Sequence, residues 1–303
     1  VEGERVSVQL KHIIKDLIKV LNETLPKSII VNYEIEPHLN LISADPTQIH
    51  QVLMNLCINA RDAMANGGML TITVSNILLD ENYARMNIEA KAGKYLLISV
   101  KDTGSGMTQE IQQRIFDPFF TTKDIGKGTG LGLSTALTII KSHGGFINVY
   151  SESGKGTQFT IYLPAAESEI VVKDTQSASP YPRGNGELIL IVDDEDNIRQ
   201  ITKATLEKFG YKTLTAADGT EAMAIYAHNS AEIALVLTDM AMPYMNGAAT
   251  IRALRKLNSD LPIIAASGLP SNEINDLNVN AFLSKPYTAE KLLNTLAKVL
   301  SKT

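Results

Sequence analysis

A helical segment opening at Asp45-Pro46 carries Gln51, Asn55 and Asn59 at successive i+4 positions. They form one polar stripe, beside a broad apolar surface of Ile49, Val52, Leu53, Leu56 and Ala60. Asparagine carbonyls can ligate Mg²⁺, a hard ion that prefers oxygen and shares its shell with phosphates. Taken alone, the stripe reads as an ordinary solvated helix face. Next comes Asp102-Thr103-Gly104-Ser105-Gly106, directly after an apolar strand pattern. An ionised carboxylate only accepts hydrogen bonds, and at a strand end it can accept from an adenine amino group. Gly104 and Gly106 let backbone approach a flat base.

A third stretch runs Phe116-Asp-Pro-Phe-Phe-Thr-Thr-Lys123, and Gly126-Lys-Gly-Thr-Gly-Leu-Gly132 follows. The string fits neither a dinucleotide fingerprint nor a P-loop. Gly128, Thr129, Gly130, Leu131 and Gly132 lead into a helical pattern, where free N–H groups and the helix end favour phosphate. Lys123 and Lys127 add charge. Glycine at this density resists regular structure, so residues 105–130 read as a lid. A plain flexible loop accounts for the glycines, but not for three aromatics around a proline.

Further along, Asp193-Asp194 closes one strand pattern and Asp239 closes another, Ser267 follows a third, and Lys285-Pro286 follows a fourth. Strand C-termini of a parallel doubly wound sheet converge on one edge. Three carboxylates gathered there raise at least one pKa unless a cation sits among them. Mg²⁺ suits that role and leaves one carboxylate as a nucleophile able to form an aspartyl phosphate. Lys285 can pair with the phosphoryl group and Ser267 can donate to it.

The elements that must position these groups fall into two blocks. Residues 1–164 mix types. Helices are predicted at Leu10–Leu25, from Pro46 to about Ala65, and at Gly130–Ser142. Strands are predicted at Ser28–Glu36, Leu39–Ser43, Met69–Asn76, Lys94–Val100, Phe146–Ser151 and Thr157–Leu163. Without regular alternation, this suggests an α+β sandwich of helices on one face of a mixed sheet. Residues 165–186, rich in Ser, Pro, Gly and charge, read as a linker. Such a flexible chain spans about 26 Å root-mean-square. Residues 187–303 alternate strand and helix. Strands are predicted at Leu188–Val192, Lys212–Thr215, Ile233–Thr238, Pro262–Ala266 and Ala281–Leu283, with a last helix from about Thr288 to Leu300. That is a doubly wound, flavodoxin-like five-stranded parallel sheet.

Length and composition agree. The chain has 303 residues, and 28 basic against 33 acidic side chains give a net charge of −5. About two domains are expected, and no basic face for nucleic acid. A single cysteine excludes a disulfide framework and a Cys-rich zinc site. With no long apolar run and no leader, the expectation is a cytoplasmic segment without membrane contact. Its parent is either soluble or membrane-anchored.

Each motif alone is weak, but their order and spacing are specific. Residues 1–164 resemble the catalytic ATP-binding domain of sensor histidine kinases, of the Bergerat type shared with gyrase, Hsp90 and MutL. Asn55 to Ala63 resembles the N box, Asp102 to Gly106 the G1 box, Phe116 to Phe120 the F box and Gly126 to Gly132 the G2 box. Gly154-Lys-Gly-Thr157-Gln-Phe159 resembles the closing glycine motif. The resemblance implies that Asn59, helped by Asn55, holds Mg²⁺ with ATP, that Asp102 reads adenine, and that the lid covers the triphosphate. Gyrase-like members carry a glutamate base where this chain has Asn55. An amide is no base near neutral pH, which favours transfer of the γ-phosphate over hydrolysis. Asp62 and Ala63 replace the basic and aromatic residues common there, leaving Arg61 as one candidate helper. No histidine among His12, His38, His50, His143 and His228 lies in a phosphoacceptor motif. The dimerisation hairpin that carries it in this family is expected to be missing from the chain, and the parent to be a homodimer.

Residues 187–303 resemble the receiver domain of response regulators. The resemblance makes Asp239 the phosphoacceptor. Asp193, Asp194, Asp239 and the Ala241 carbonyl become the Mg²⁺ set, and Ser267 and Phe282 the switch pair. Together the two resemblances imply a hybrid sensor histidine kinase in a two-component phosphorelay. The phosphoryl group passes from ATP to a hairpin histidine, then to Asp239, and onward to a histidine phosphotransfer protein or response regulator. The rival is a nucleotide-sensing binding module whose receiver regulates by docking; a stand-alone ATPase is weakened by Asn55.

Overall fold

The computed structural model describes residues 5–123, 129–166, 181–268 and 277–301. They divide into two compact units, one of residues 5–78 and 93–166, the other of 79–92 with the residues from 181 on.

The first unit holds β1 (Val6–Val8), α1 (Leu10–Thr24), β2 (Ile29–Ile35), β3 (Ile42–Ala44), α2 (Pro46–Ala63) and β4 (Gly68–Leu79, whose last residue belongs to the other unit). After the excursion carrying α3 (Glu81–Met86) come β5 (Gly93–Asp102), α4 (Gln109–Gln112), α5 (Gly132–Ser142), β6 (Phe146–Glu152) and β7 (Gly156–Pro164). Its five-stranded sheet has the order β2-β4-β5-β7-β6. β2 and β4 run parallel, whereas β7 is antiparallel to both β5 and β6. Alternation along the strands puts Leu70, Ile72, Val74, Leu96, Ile98, Val100, Ile161 and Leu163 on one face. They share a core with Leu10, Ile14 and Leu17 of α1, Val52, Leu53 and Leu56 of α2, and Ala136 and Ile140 of α5. This is the expected sandwich on a mixed sheet.

Asp45 shows why α2 begins where it does. Its Oδ1 accepts the Thr47 and Gln48 N–H groups at 2.8 and 3.4 Å, with proline at the first helical position. The segment expected as a strand at Leu39–Ser43 is shorter and later. As β3 it pairs with β1 in a separate antiparallel ribbon. β1, α3 and α4 were not expected; each is six residues or fewer, too short to show a period.

The second unit holds β8 (Leu188–Val192), α6 (Asp196–Lys208), β9 (Lys212–Ala216), α7 (Gly219–Asn229), β10 (Ile233–Asp239), α8 (Gly247–Leu257), β11 (Ile263–Ser267), β12 (Ala281–Ser284) and α9 (Ala289–Leu300). Its sheet is wholly parallel in the order β9-β8-β10-β11-β12. Both faces are covered, as such sheets require. Ile189, Ile191, Leu235 and Leu237 pack with Leu206 of α6 and Leu292, Leu293 and Leu296 of α9. Leu190, Val192, Val236 and Ile263 pack with Ala222 of α7 and Ile251 and Leu254 of α8. Strand order reverses between β8 and β10, so a crevice opens outside their carboxyl ends.

Candidate functional site

Two sites emerge, one in each unit. In the first, α2, the end of β5 and the start of α5 enclose a cavity of about 580 Å³. Asn55, Asn59, Asp102, Gly106, Lys123, Thr129, Gly130, Gly132 and Thr157 line it. Asp102 is 4% exposed at the end of β5. Its Oδ1 accepts the Gly104 N–H at 2.8 Å and the Thr157 N–H at 3.3 Å. Burial pushes its carboxyl above the ordinary range, partly opposed by those two bonds. The arrangement is a fixed acceptor facing a cavity wide enough for a base.

Glycines make room for it. Gly106 has φ +62°, and a Cβ there would strike the Glu152 carbonyl. Gly130 has φ +65°, with the Phe119 backbone in the way, and its carbonyl accepts the Phe119 N–H at 3.0 Å. Gly104 serves differently: it lies against the Ala63 carbonyl and seats the turn on α2. Leu131 precedes the first residue of α5 without a side-chain capping bond and is not among the residues lining the cavity.

Asn55 and Asn59 part company. Asn55 Nδ2 donates to the Gly132 carbonyl at 3.1 Å, pinning the first turn of α5 to α2. Asn59 Oδ1 takes a 3.5 Å bond from Lys123 Nζ. Lys123 also pairs with Asp62 Oδ2 at 2.6 Å, and Arg61 pairs with Asp62 Oδ1 at 2.7 Å. Burial alone raises the Asp62 carboxyl, but Lys123 and Arg61 outweigh it and hold it below the usual range. An amide oxygen and a lysine on one cavity wall suit a cation with a polyphosphate.

The stretch expected as a lid is not uniformly loose. Residues 109–112 form α4, Ile115 is buried, and Phe116 and Phe120 pack on the core, with Arg114 over the Phe120 ring at 4.5 Å. Phe116 and Phe120 anchor the base of the stretch, whereas Phe119 is exposed. Lys127 and Gly128 lie outside the described residues.

In the second unit, carboxylate oxygens of Asp193, Asp194 and Asp239 lie within 4.8 Å of one another, at the strand-order reversal. Lys285 Nζ pairs with Asp193 at 2.6 Å and Asp239 at 2.9 Å. Asp239 Oδ1 also accepts the Met240 N–H at 2.7 Å and the Ala241 N–H at 3.5 Å. Burial raises the Asp193 carboxyl; Lys285 opposes this and Asp239 adds to it. Burial alone lowers the Lys285 ammonium, but the two carboxylates outweigh it and raise it. One lysine against three carboxylates leaves negative charge, which fits a divalent oxygen-loving cation. Ser267 ends β11, buried, and its carbonyl accepts the Lys285 N–H at 2.8 Å. Phe282 is half-buried on β12, one strand over.

Residues 44–167 match the family model of the histidine kinase-, DNA gyrase B-, and HSP90-like ATPase, and residues 189–297 that of the response regulator receiver domain. The chain joins a histidine kinase-type ATPase domain to a receiver. Sensor kinase CckA of Brucella abortus (strain 2308) is 35% identical over 306 aligned residues, 97% of this chain and 32% of that protein. Sensor protein EvgS of Escherichia coli (strain K12) is 31% identical over 271 residues, 87% of this chain and 22% of that protein. The chain thus spans a third or less of the length of these relatives. Among solved structures, the catalytic domain of histidine kinase ThkA is similar at 30% identity and a TM-score of 0.44, covering 54% of this chain and 96% of that one. An ATPase domain followed by a receiver is the architecture of a hybrid histidine kinase of two-component signalling.

In the ATPase domain, His12 is exposed within α1. His143 is buried, and its Nε2 accepts the Asp45 N–H at 3.1 Å, which makes it a brace for α2. The sequence reading missed the Asp62–Lys123 pair, because its partners are 61 positions apart and only the fold joins them. Among the described residues, no helix is long and apolar enough to cross a membrane.

Proposed function

We propose that the ATPase domain binds ATP with Mg²⁺ and phosphorylates a histidine carried outside this chain, and that the phosphoryl group passes to Asp239 of the receiver. The domain limits are residues 1–164 and 187–303, with 165–186 as linker. Asp102 accepts from the adenine amino group. Asn59, helped by Asn55, holds Mg²⁺, while Lys123 and the start of α5 bind the phosphates. With an amide at Asn55 and no base there, water is left unactivated. In the receiver, Asp193, Asp194, Asp239 and the Ala241 carbonyl hold Mg²⁺, which offsets the crowded charge. A carboxylate oxygen of Asp239 bonds to phosphorus as the P–N bond to the donor histidine breaks. Lys285 pairs with the new phosphoryl oxygens, and Ser267 turns toward them as Phe282 moves inward.

One observation carries this reading: Asp239 ends the central strand beside two more carboxylates and a shared lysine. Partners follow from the chemistry: a dimeric histidine-bearing hairpin, then a histidine phosphotransfer protein or response regulator. The decisive experiment supplies γ-labelled ATP, Mg²⁺ and a folded, dimeric hairpin. Label should appear on the hairpin, move to this chain, and be lost in Asp239→Ala. ATP binding without label transfer would make the first domain a nucleotide-sensing module instead.

A further inference from the structure

Between β4 and β5 the chain makes an excursion, Leu79–Ala92, that groups with the receiver's compact unit. It is no solvated loop: Leu79, Tyr83 and Ala90 are buried. Asp80 uses both carboxylate oxygens on helix starts. Oδ1 accepts the Tyr83 N–H at 2.9 Å and caps α3. Oδ2 accepts the Ala289 N–H at 2.7 Å. Ala289 is the first residue of α9, so its N–H has no partner inside that helix. Asn82 is also buried, and its Oδ1 accepts the Thr205 hydroxyl of α6 at 2.9 Å. Asn197 of α6 donates to the Arg85 carbonyl at 3.4 Å. Met86 packs on the cluster holding Leu206, Tyr287 and Leu292.

The two gripped helices are telling. α6 begins two residues after Asp194, and α9 begins four after Lys285. The segment therefore holds the helices that follow the two loops bearing the acid pair and the lysine. We propose that residues 79–92 are a receiver-binding element, an insertion within the ATPase sequence whose partner is the α6–α9 face of the receiver in the same chain. The match is one of chemistry: a carboxylate for an unpaired helix N–H, an amide for a hydroxyl, a methionine for an apolar cluster.

The test is amide hydrogen exchange on the whole chain, which needs no phosphoryl transfer and so stands or falls apart from the relay. The amides of Tyr83 to Asn87 and of Ala289 should be protected. Asp80→Ala should speed their exchange at least tenfold, leaving Val52 in α2 and Val236 in β10 unchanged. That variant also removes the α3 cap, so Asn197→Ala with Thr205→Val on the receiver side decides. If those changes speed exchange at Tyr83 to Asn87, the element is docked. If the segment exchanges as a free loop in the unaltered chain, or ignores the receiver-side changes, the proposal is wrong. Should the double variant also loosen Val236, Asn197→Ala alone is read by the same criterion.

Discussion

Lys123 Nζ lies 2.6 Å from Asp62 Oδ2 and 3.5 Å from Asn59 Oδ1. The lysine thus spans the carboxylate that restrains it and the amide proposed to hold Mg²⁺. A polyphosphate bound as proposed would compete with Asp62 for the lysine's charge. Asp62→Asn should tighten MgATP binding by up to about fivefold, because partly exposed pairs contribute about 0.2–1 kcal/mol. Titration calorimetry checks this; weaker binding would mean that Asp62 itself helps hold the nucleotide.

If Asp102 accepts from adenine as proposed, nucleotide binding should be sensitive to acid. Burial favours its protonated form, and only the ionised carboxylate is an acceptor on both oxygens. As pH falls through its raised pKa, adenine affinity should drop, beginning above the usual aspartate range. Folding responds in the opposite sense. A carboxyl raised in the folded state binds more protons there, so its contribution to stability declines as pH rises through that window. Asp102→Asn should therefore weaken ATP binding roughly 10- to 150-fold, as for a bond of about 1.5–3 kcal/mol to a charged group. Its melting temperature at neutral pH should hold or rise. Binding titrations and melting curves across pH test both halves.

Removing Lys285 leaves Asp193 and Asp239 without their shared cation. Breaking a buried pair in this way costs about 3–5 kcal/mol. Lys285→Ala should lower the receiver's unfolding transition, and Mg²⁺ should raise it more in the variant than in the parent. Calorimetry with and without Mg²⁺ reads this directly. An unmoved transition would show that the carboxylates do not depend on the lysine.

The residues two after Asp239 and Ser267 are Ala241 and Leu269, the latter outside the described residues. Neither side chain can orient an attacking water. The Asp239 phosphoryl group should be long-lived, and Ala241→Asn should shorten its lifetime. Decay of label after removal of the donor measures this; an unchanged rate would sink the explanation.

What the sequence disclosed depended on range. The receiver's five strands were legible to within a residue at each end, because a parallel sheet buried on both faces leaves apolar runs such as Leu188–Val192 ending at chemistry-bearing residues. The cap at Asp45 was legible because aspartate before proline is a local signal. Asp102, Asn59 and Thr157, each singled out in the sequence, line one cavity. The rest needed the fold. Nothing near Asp62 announces Lys123, and nothing near Asp80 announces Ala289. Helix α3 has six residues and shows no period. Leu78, expected to lie past the end of a strand, extends β4 because Gly68–Leu79 continues beside β5.

The bond from Asn55 to the Gly132 carbonyl constrains what this chain can tolerate at that position by a single change. The amide nitrogen faces a carbonyl, so that position must donate. Glutamate, the residue that would supply a base for hydrolysis, only accepts when ionised and would face that carbonyl with like polarity. Gaining a water-activating group would thus unfasten the first turn of α5 from α2. On the proposed reading, one amide would both withhold a base from water and fasten the wall of the cavity, so a change there should alter both together.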